Sequence, residues 1–493
     1  MTIAVSKRSV LKTAAALAAL SGLPAALRPA RAAEPMVLRA ARRTLEVKGR
    51  AASVYGLTQA DGSSGVFLDP DQRFLVQLVN GLDEPTIIHW HGQAPPANQD
   101  GVAMTGLEQV IAAGATQPYD FAARPGTHWM HSHQGLQEMQ LLAAPLIVRT
   151  AADLRMDAQE VTVILHDFTF RTPEQVMADL GSMGGMQMGG AAKTDDKMAG
   201  MKMGNADSGG MAGMKMGDAG GKAEGEDFND IDFDAYLAND RTLDDPLVVR
   251  TERHGRVRLR LINAGSATSF WIDLGALTGT VIAVDGMPVQ PVTGKLFPLA
   301  EAQRIDIVVD VPAGQACPIL AQRVGDTART GIILAAPGAS VARIDGAAAK
   351  AAGGLGNGFE MQLTAATPLA AKPVDRRHSV VLTGSMSPYQ WFINGQSWEN
   401  HQPLRVKQGQ RVAIEFVNNT PMAHPMHLHG HAFQVVALNG TPLNGALRDT
   451  INLPPRQSAT VAFDADNPGR WLVHCHILPH METGMITEVA YET

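Results

Sequence analysis

The sequence predicts an all-β chain of three related β-sandwich domains, on three observations. Short runs of alternating apolar and polar residues are separated by Gly/Pro turns throughout, and long amphipathic helical patterns are scarce. At 493 residues the chain has room for three domains of roughly 150 residues each. One strand motif, apolar and ending in Asn, occurs three times, as 76–80, 260–263 and 414–418. Each copy is followed by a second turn-and-strand signal, at Arg124-Pro125-Gly126, at 311–314 and at Asn467-Pro468-Gly469.

Taken in order, residues 1–32 read as an export signal: a basic start with Lys7, Arg8 and Lys12, a short Ala/Leu run from Ala14 to Leu20, and a small-residue cleavage site at Ala30-Arg31-Ala32. The segment is similar to a twin-arginine signal with Lys7 in the first arginine place, so the expected compartment is the periplasm. The first domain is expected over 34–152, the second over 155–345 and the third over 372–493, with the Ala/Gly-rich stretch 346–371 as linker. Residues 181–226 interrupt the second domain. They hold no aromatic residue and nine Met between Met183 and Met216, including the near-repeat 197–204 and 210–217. Such a composition cannot bury a core and reads as an inserted loop.

Composition excludes several functions. Apolar residues make up 45 % and charged residues 18 %, ordinary for a packed chain. Net charge is −7 without a long basic run, so the electrostatic footprint of a nucleic-acid binder is missing. No stretch reaches the roughly 18 consecutive apolar residues of a spanning helix, and no membrane insertion is expected. With only Cys317 and Cys475, disulfides are not the main staple, and Cys317 reads as a small buried residue.

The sixteen histidines carry the chemical signal. Laying Asn80 on Asn418 puts His89 and His91 on His427 and His429. Laying Pro125 on Pro468 puts His131 and His133 on His474 and His476. The same count from Asn263 lands on Ile272 and Leu274, so the middle domain is expected to be a spacer or wall. Alternate residues of a strand face one side, about 6.6–6.8 Å apart, and each His-X-His pair therefore presents two imidazoles to one face. One pair is weak evidence, because zinc, copper, nickel and iron all accept imidazole. Four pairs at related places point to a metal cluster shared by the outer domains.

In His474-Cys475-His476 the cysteine faces away from its neighbours, toward a different site with His424, His480 and Met485 in reach. Two imidazoles, a thiolate and a weak axial thioether are a blue-copper donor set. The equivalent places in the first domain hold Thr86, Ser132, Gln137 and Leu142, so no blue-copper site is expected there. His128, His166, His254, His378, His401 and His431 read as structural histidines.

Four segments, His89-Trp90-His91-Gly92, His131-Ser132-His133, the run from His424 to His429 and the run from His474 to Met485, resemble the signatures of multicopper oxidases in domain order. The chain is similar to bacterial copper-resistance oxidases and laccases. The resemblance implies three cupredoxin-like Greek-key β-sandwiches and four copper ions. It places type 1 copper on His424, Cys475, His480 and Met485, type 2 on His89 and His427, and the type 3 pair on His91, His131, His133, His429, His474 and His476. The implied reaction takes single electrons from Cu(I) or a phenolic reductant and reduces dioxygen to water, with Asp100 and Glu482 as expected proton-relay carboxylates. Copper-resistance relatives often carry an acid directly after the last type 1 histidine, where this chain has Met481. The methionine-rich insert favours Cu(I), because thioethers are soft ligands. The alternatives are a broad laccase for which the insert is a lid, and a copper-binding scaffold without turnover. A monomer is expected.

Overall fold

A computed structural model describes residues 34–186, 228–252 and 255–492. The export-signal stretch 1–32, the insert beyond Met186 up to its end and His254 lie outside the described residues. Val37–Thr493 makes one compact unit, built of three two-sheet β-sandwiches in chain order.

The first sandwich faces a four-stranded sheet (Arg50–Gln59, Met36–Val47, Arg73–Asn80, Thr116–Ala122) with another (Val66–Leu68, Ala143–Val148, Gly126–Ser132, Ile88–His89). The second pairs a six-stranded sheet with a five-stranded one, and the third a seven-stranded sheet with a five-stranded one. Their inner faces are filled by alternating apolar residues, such as Val257, Leu259 and Leu261 in the second and Val412, Ile414 and Phe416 in the third.

The repeated Asn has one physical job in all three copies. Asn80, Asn263 and Asn418 are buried at 0–1 % exposure. Each closes an Asx turn through its Oδ1, which accepts from Leu82 N, Gly265 N and Thr420 N at 2.9 Å. Each Nδ2 donates to two or three backbone carbonyls, including Ile111 O, Leu299 O and Leu453 O at 2.9–3.1 Å. These side chains satisfy carbonyls that the ends of the strands leave without ladder partners, and buried polar groups must be satisfied. The turn fixes where the following strand starts, and hence the faces on which the histidines fall.

Stretch 346–371 is more than a spacer. Ala347 and Ala352 bridge to Ala328 and Val324, and Ala365 bridges to Val289. Leu363 is fully buried, and Glu360 accepts from Arg448 Nε at 2.9 Å. Small residues let this segment lie close against the second sandwich while Glu360 ties it to the third.

Candidate metal centres

Strand pairing brings the histidines together. In the first sandwich Ile88–His89 pairs antiparallel with Gly126–Ser132, setting His89 opposite His131. In the third, His424–Leu428 pairs with Arg470–Cys475, setting His427 opposite His474 and Met426 opposite Cys475. The two faces meet: His91 stacks on His427 at 3.7 Å between ring centroids, and His89 on His429 at 3.8 Å. In the middle sandwich Ile272 is fully buried and pairs with Ala321, so that interior is hydrocarbon.

All eight histidines of the four pairs are buried. Three triads have ligand atoms within 4.8 Å of one another: His89/His91/His427, His91/His131/His476 and His133/His429/His474. Burial pushes the imidazoles of His91, His131, His133, His427, His429 and His476 well below their ordinary value, and that of His474 to about 4. At neutral pH these rings are uncharged and offer lone pairs.

Hydrogen bonds to the outer nitrogens aim the inner ones. His89 Nδ1 lies 2.8 Å from Asp100 O, His427 Nδ1 2.8 Å from Asp449 O, His474 Nδ1 2.9 Å from Cys475 O, and His91 Nε2 3.1 Å from Asp449 Oδ1. His131 Nδ1 is 2.7 Å from Glu138 Oε2. The opposite nitrogens, His89 Nε2, His91 Nδ1, His131 Nε2 and His427 Nε2, are buried with no protein partner, as are His476 Nε2 and both ring nitrogens of His133. Such atoms cost about 1–3 kcal/mol each when unsatisfied. Their convergence in triads fits a set of metal ions held by neutral imidazole, oriented by second partners as metal histidines are.

On the other face of the last strand, His424 Nδ1 and His480 Nδ1 lie 3.7 and 3.6 Å from Cys475 Sγ and 3.1 Å from each other. Their Nε2 atoms are held at 2.7 Å by Thr420 Oγ1 and Asp230 Oδ2. The Tyr389 hydroxyl donates to the same Asp230 oxygen at 2.5 Å. Trp391 covers His480 at 4.1 Å. Met485 is fully buried, and its backbone bonds Cys475 N and His480 O at 3.0 and 2.9 Å. Burial pushes the Cys475 thiol well above its ordinary value, so a metal that takes the thiolate releases a proton.

The matching place in the first sandwich is closed by hydrogen bonds. Gln137 Oε1 accepts from Thr86 Oγ1 at 2.7 Å and Ser132 Oγ at 2.8 Å, and Leu142 is buried beside them. These are the residues that align with His480, His424, Cys475 and Met485.

Asp100 lies at the cluster, with Oδ2 2.9 Å from His429 Nδ1. Glu482 does not. In the short helix Leu478–Glu482 the first four residues are buried, and the turn carries Glu482 out to the surface. There it lines a cavity of about 480 Å³ with Trp398 and Glu399 that His133 also borders. The second acid at the cluster is Glu138, buried and pushed well above the usual carboxylate range by burial. No motif in the sequence marks it, nor Asp449 or, from the second sandwich, Asp230 and Arg304. Only the five-residue step from His133 to Glu138 was visible in the chain.

Imidazoles gathered in buried triads, one peptide bond from a cysteine site, define a redox metalloprotein whose donor set suits copper. Comparison with known proteins agrees. Multicopper oxidase family models match residues 60–153, 159–332 and 372–493. The chain is 32 % identical to a multicopper oxidase, MmcO, of Mycobacterium tuberculosis, over 85 % of this chain and 79 % of that one. It is 28 % identical to copper resistance protein A of Escherichia coli, over 85 % and 86 %. The structure superposes on Fet3p, a multicopper oxidase that functions in iron import, with a TM-score of 0.73 at 18 % identity, covering 92 % and 90 % of the two chains. The chain belongs to the multicopper oxidase family, an oxidoreductase family with copper as cofactor.

Proposed function

We propose that this oxidase takes single electrons from Cu(I) or phenols at the Cys475 site, reduces dioxygen to water at the eight-histidine cluster, and serves copper tolerance in the periplasm. The observation that carries the reading is Cys475 itself: its side chain belongs to one site, while its backbone is bonded to His474 and His476 of the other. Type 1 copper is assigned to His424, Cys475, His480 and Met485, and type 2 to His89 and His427. One type 3 ion is assigned to His91, His131 and His476, and the other to His133, His429 and His474. When bound, copper supplies one-electron exchange and dioxygen chemistry.

The protein's own contribution is placement. Thr420 and Asp230 hold the outer nitrogens of the type 1 histidines, which leaves Nδ1 on the cysteine side. Asp100 holds His89 and His429 together and is the carboxylate placed to pass protons inward. Burial of the whole shell excludes bulk water.

The Cu(I) half rests on where the methionine-rich segment is rooted. Helix Pro173–Met186 packs Val176 and Leu180 into the core that holds Tyr389 and Trp391. After the insert the described chain resumes at Phe228 and reaches His480 through Asp230. Both roots lie by the type 1 residues, and thioethers select Cu(I).

Copper content and the absorption spectrum test the assignment: four ions and a thiolate charge-transfer band are expected, and Cys475→Ser removes one ion and the band. Deleting 183–216 is expected to lower Cu(I) turnover relative to phenol turnover. An unchanged ratio would leave a broad laccase, and no oxygen uptake by loaded protein would leave a copper scaffold.

A further inference from the structure

The cavity of about 480 Å³ beside the short helix Leu478–Glu482 runs from the surface to the cluster. Exposed Gln390, Glu399 and Glu482 line it on the outside, and buried His133 and Met481 line it on the inside. His133 and Met481 also border a gap among the cluster residues, shared with His131, His474 and His476, that is too narrow for a water molecule. These two side chains are therefore the partition between open space and the cluster.

His133 is held unlike the other seven cluster histidines. It is 6 % exposed where they are 0–3 %. Among the described residues it is the one histidine with both ring nitrogens buried and unpartnered, whereas a metal histidine ordinarily has its second nitrogen pinned. Its ring meets those of His429 and His474 edge-on, at 5.2 Å between centroids. His89, His91 and His131 by contrast each stack face to face on a neighbour, at 3.8, 3.7 and 4.3 Å. The strand that carries His133 ends at Ser132, and Gly135 follows in the left-handed region at φ +49°. Nothing in this arrangement stops the ring from turning toward the cavity.

The wall suits a soft cation. Met104, 38 % exposed, and Met481, 8 % exposed, bring two thioethers to it, and thioethers select Cu(I). Its charged residues are Glu399 and Glu482, and no Lys or Arg lines it. We propose that this cavity is the port through which Cu(I) is loaded into the eight-histidine cluster. The carboxylates draw the ion in, the thioethers of Met104 and Met481 take it, and His133 swings outward to receive it and carries it inward. The step exchanges ligands on one ion and moves no electron, so it needs no co-reactant. The inference rests on the assignment of copper to His133 made above.

The test follows the loading of copper-free, full-length protein with Cu(I) in the absence of oxygen. Samples are stripped of loose copper by a chelator, oxidised with ferricyanide, and read for total copper and for blue absorption. None of the four type 1 residues lines the cavity, so the blue absorption is an internal control for the rest of the molecule. Met104→Leu with Met481→Leu keeps the volume nearly constant. This double variant is expected to gain the three cluster ions about tenfold more slowly, for want of thioethers, while the blue absorption grows at the wild-type rate. Glu399→Gln with Glu482→Gln is expected to slow cluster loading several-fold in low salt and hardly at all in high salt, where the attraction is screened. Cluster loading at the wild-type rate in the methionine variant would overturn the proposal. Equal slowing of both sites would overturn it too, since that is the mark of a general structural effect. Wild-type protein that retains only a single blue ion would sink the cluster assignment made above and the port with it, whereas four ions retained with unchanged rates would sink the port alone.

Discussion

Arg304 is where one substitution should show most about how the cluster is held. The residue comes from the second sandwich and is fully buried. It donates to Asp449 Oδ1 at 2.7 Å and Oδ2 at 2.5 Å, to Thr127 O of the first sandwich at 3.1 Å and to Ala302 O at 3.0 Å. Asp449 in turn holds His91 through Oδ1 and His427 through its carbonyl. Burial alone would raise the Asp449 carboxyl, but Arg304 overrides it and holds the group below its ordinary value. Arg304→Met therefore leaves a carboxylate buried without its partner, which costs roughly 3–5 kcal/mol. With an m-value of about 3 kcal/mol per M, the urea midpoint of copper-free protein falls by roughly 1–1.7 M. Removing both charges, as in Arg304→Met with Asp449→Leu, restores most of that loss, because a well-packed apolar pair does about as well as a buried ion pair. The cost of Arg304→Met also shrinks as pH falls toward 4, since a lone buried Asp449 then folds protonated. Additivity of the two single substitutions within about 0.5 kcal/mol would refute the argument.

Other expectations follow from the same network. Asp230→Asn removes the charged partner of His480 Nε2 and of the Tyr389 hydroxyl; the type 1 reduction potential should rise, read by redox titration of the blue band, with copper content unchanged. Glu138→Gln loosens His131 and should cost about 10–100-fold in turnover or copper affinity, as loss of a metal ligand's second partner typically does. Copper-free protein should lose stability as pH falls from about 6.5 toward 4. His431 is lowered to about 4 and His128 to about 3, mainly by burial, so the unfolded chain binds more protons across that range. At about 1.4 kcal/mol per pKa unit, each group contributes on the order of 3 kcal/mol, and thermal unfolding against pH would show it.

What could be read in the chain was whatever recurs locally. The Asn-ended strands repeat because each closes the same turn, and a fixed turn makes the count to the next strand reliable. That count located eight histidines and showed the middle copy to be hydrocarbon at Ile272. The residues that orient those histidines were not legible. Asp449 reaches His91 across 358 positions, and Asp230 reaches His480 across 250. No periodicity links residues that only tertiary packing brings together. Glu482 shows the converse: it stands one residue past the place where relatives carry an acid, and a short helix of buried residues turns it outward, while Glu138 reaches the cluster from the first sandwich.

The closed site in the first sandwich offers the strictest test of the repeat. Thr86, Ser132 and Gln137 already converge to hydrogen-bonding distance, as His424, Cys475 and His480 do in the third. If backbone placement sets this geometry, Thr86→His, Ser132→Cys, Gln137→His and Leu142→Met together should build a second thiolate site. The added ring volume should cost about 1–3 kcal/mol of overpacking, since all four positions are buried. The variant belongs in a Cys475→Ser background, where the native band is gone and any blue absorption comes from the new cysteine. One copper regained per folded chain, with that band, is the expected result. The new thiolate would be bonded through the backbone to His131 and His133, so dithionite reduction should reach the cluster from that side too. A folded variant that gained neither copper nor colour would mean that the third sandwich supplies more than backbone placement. Trp391, packed against both His424 and His480, is the first side chain to examine for the difference.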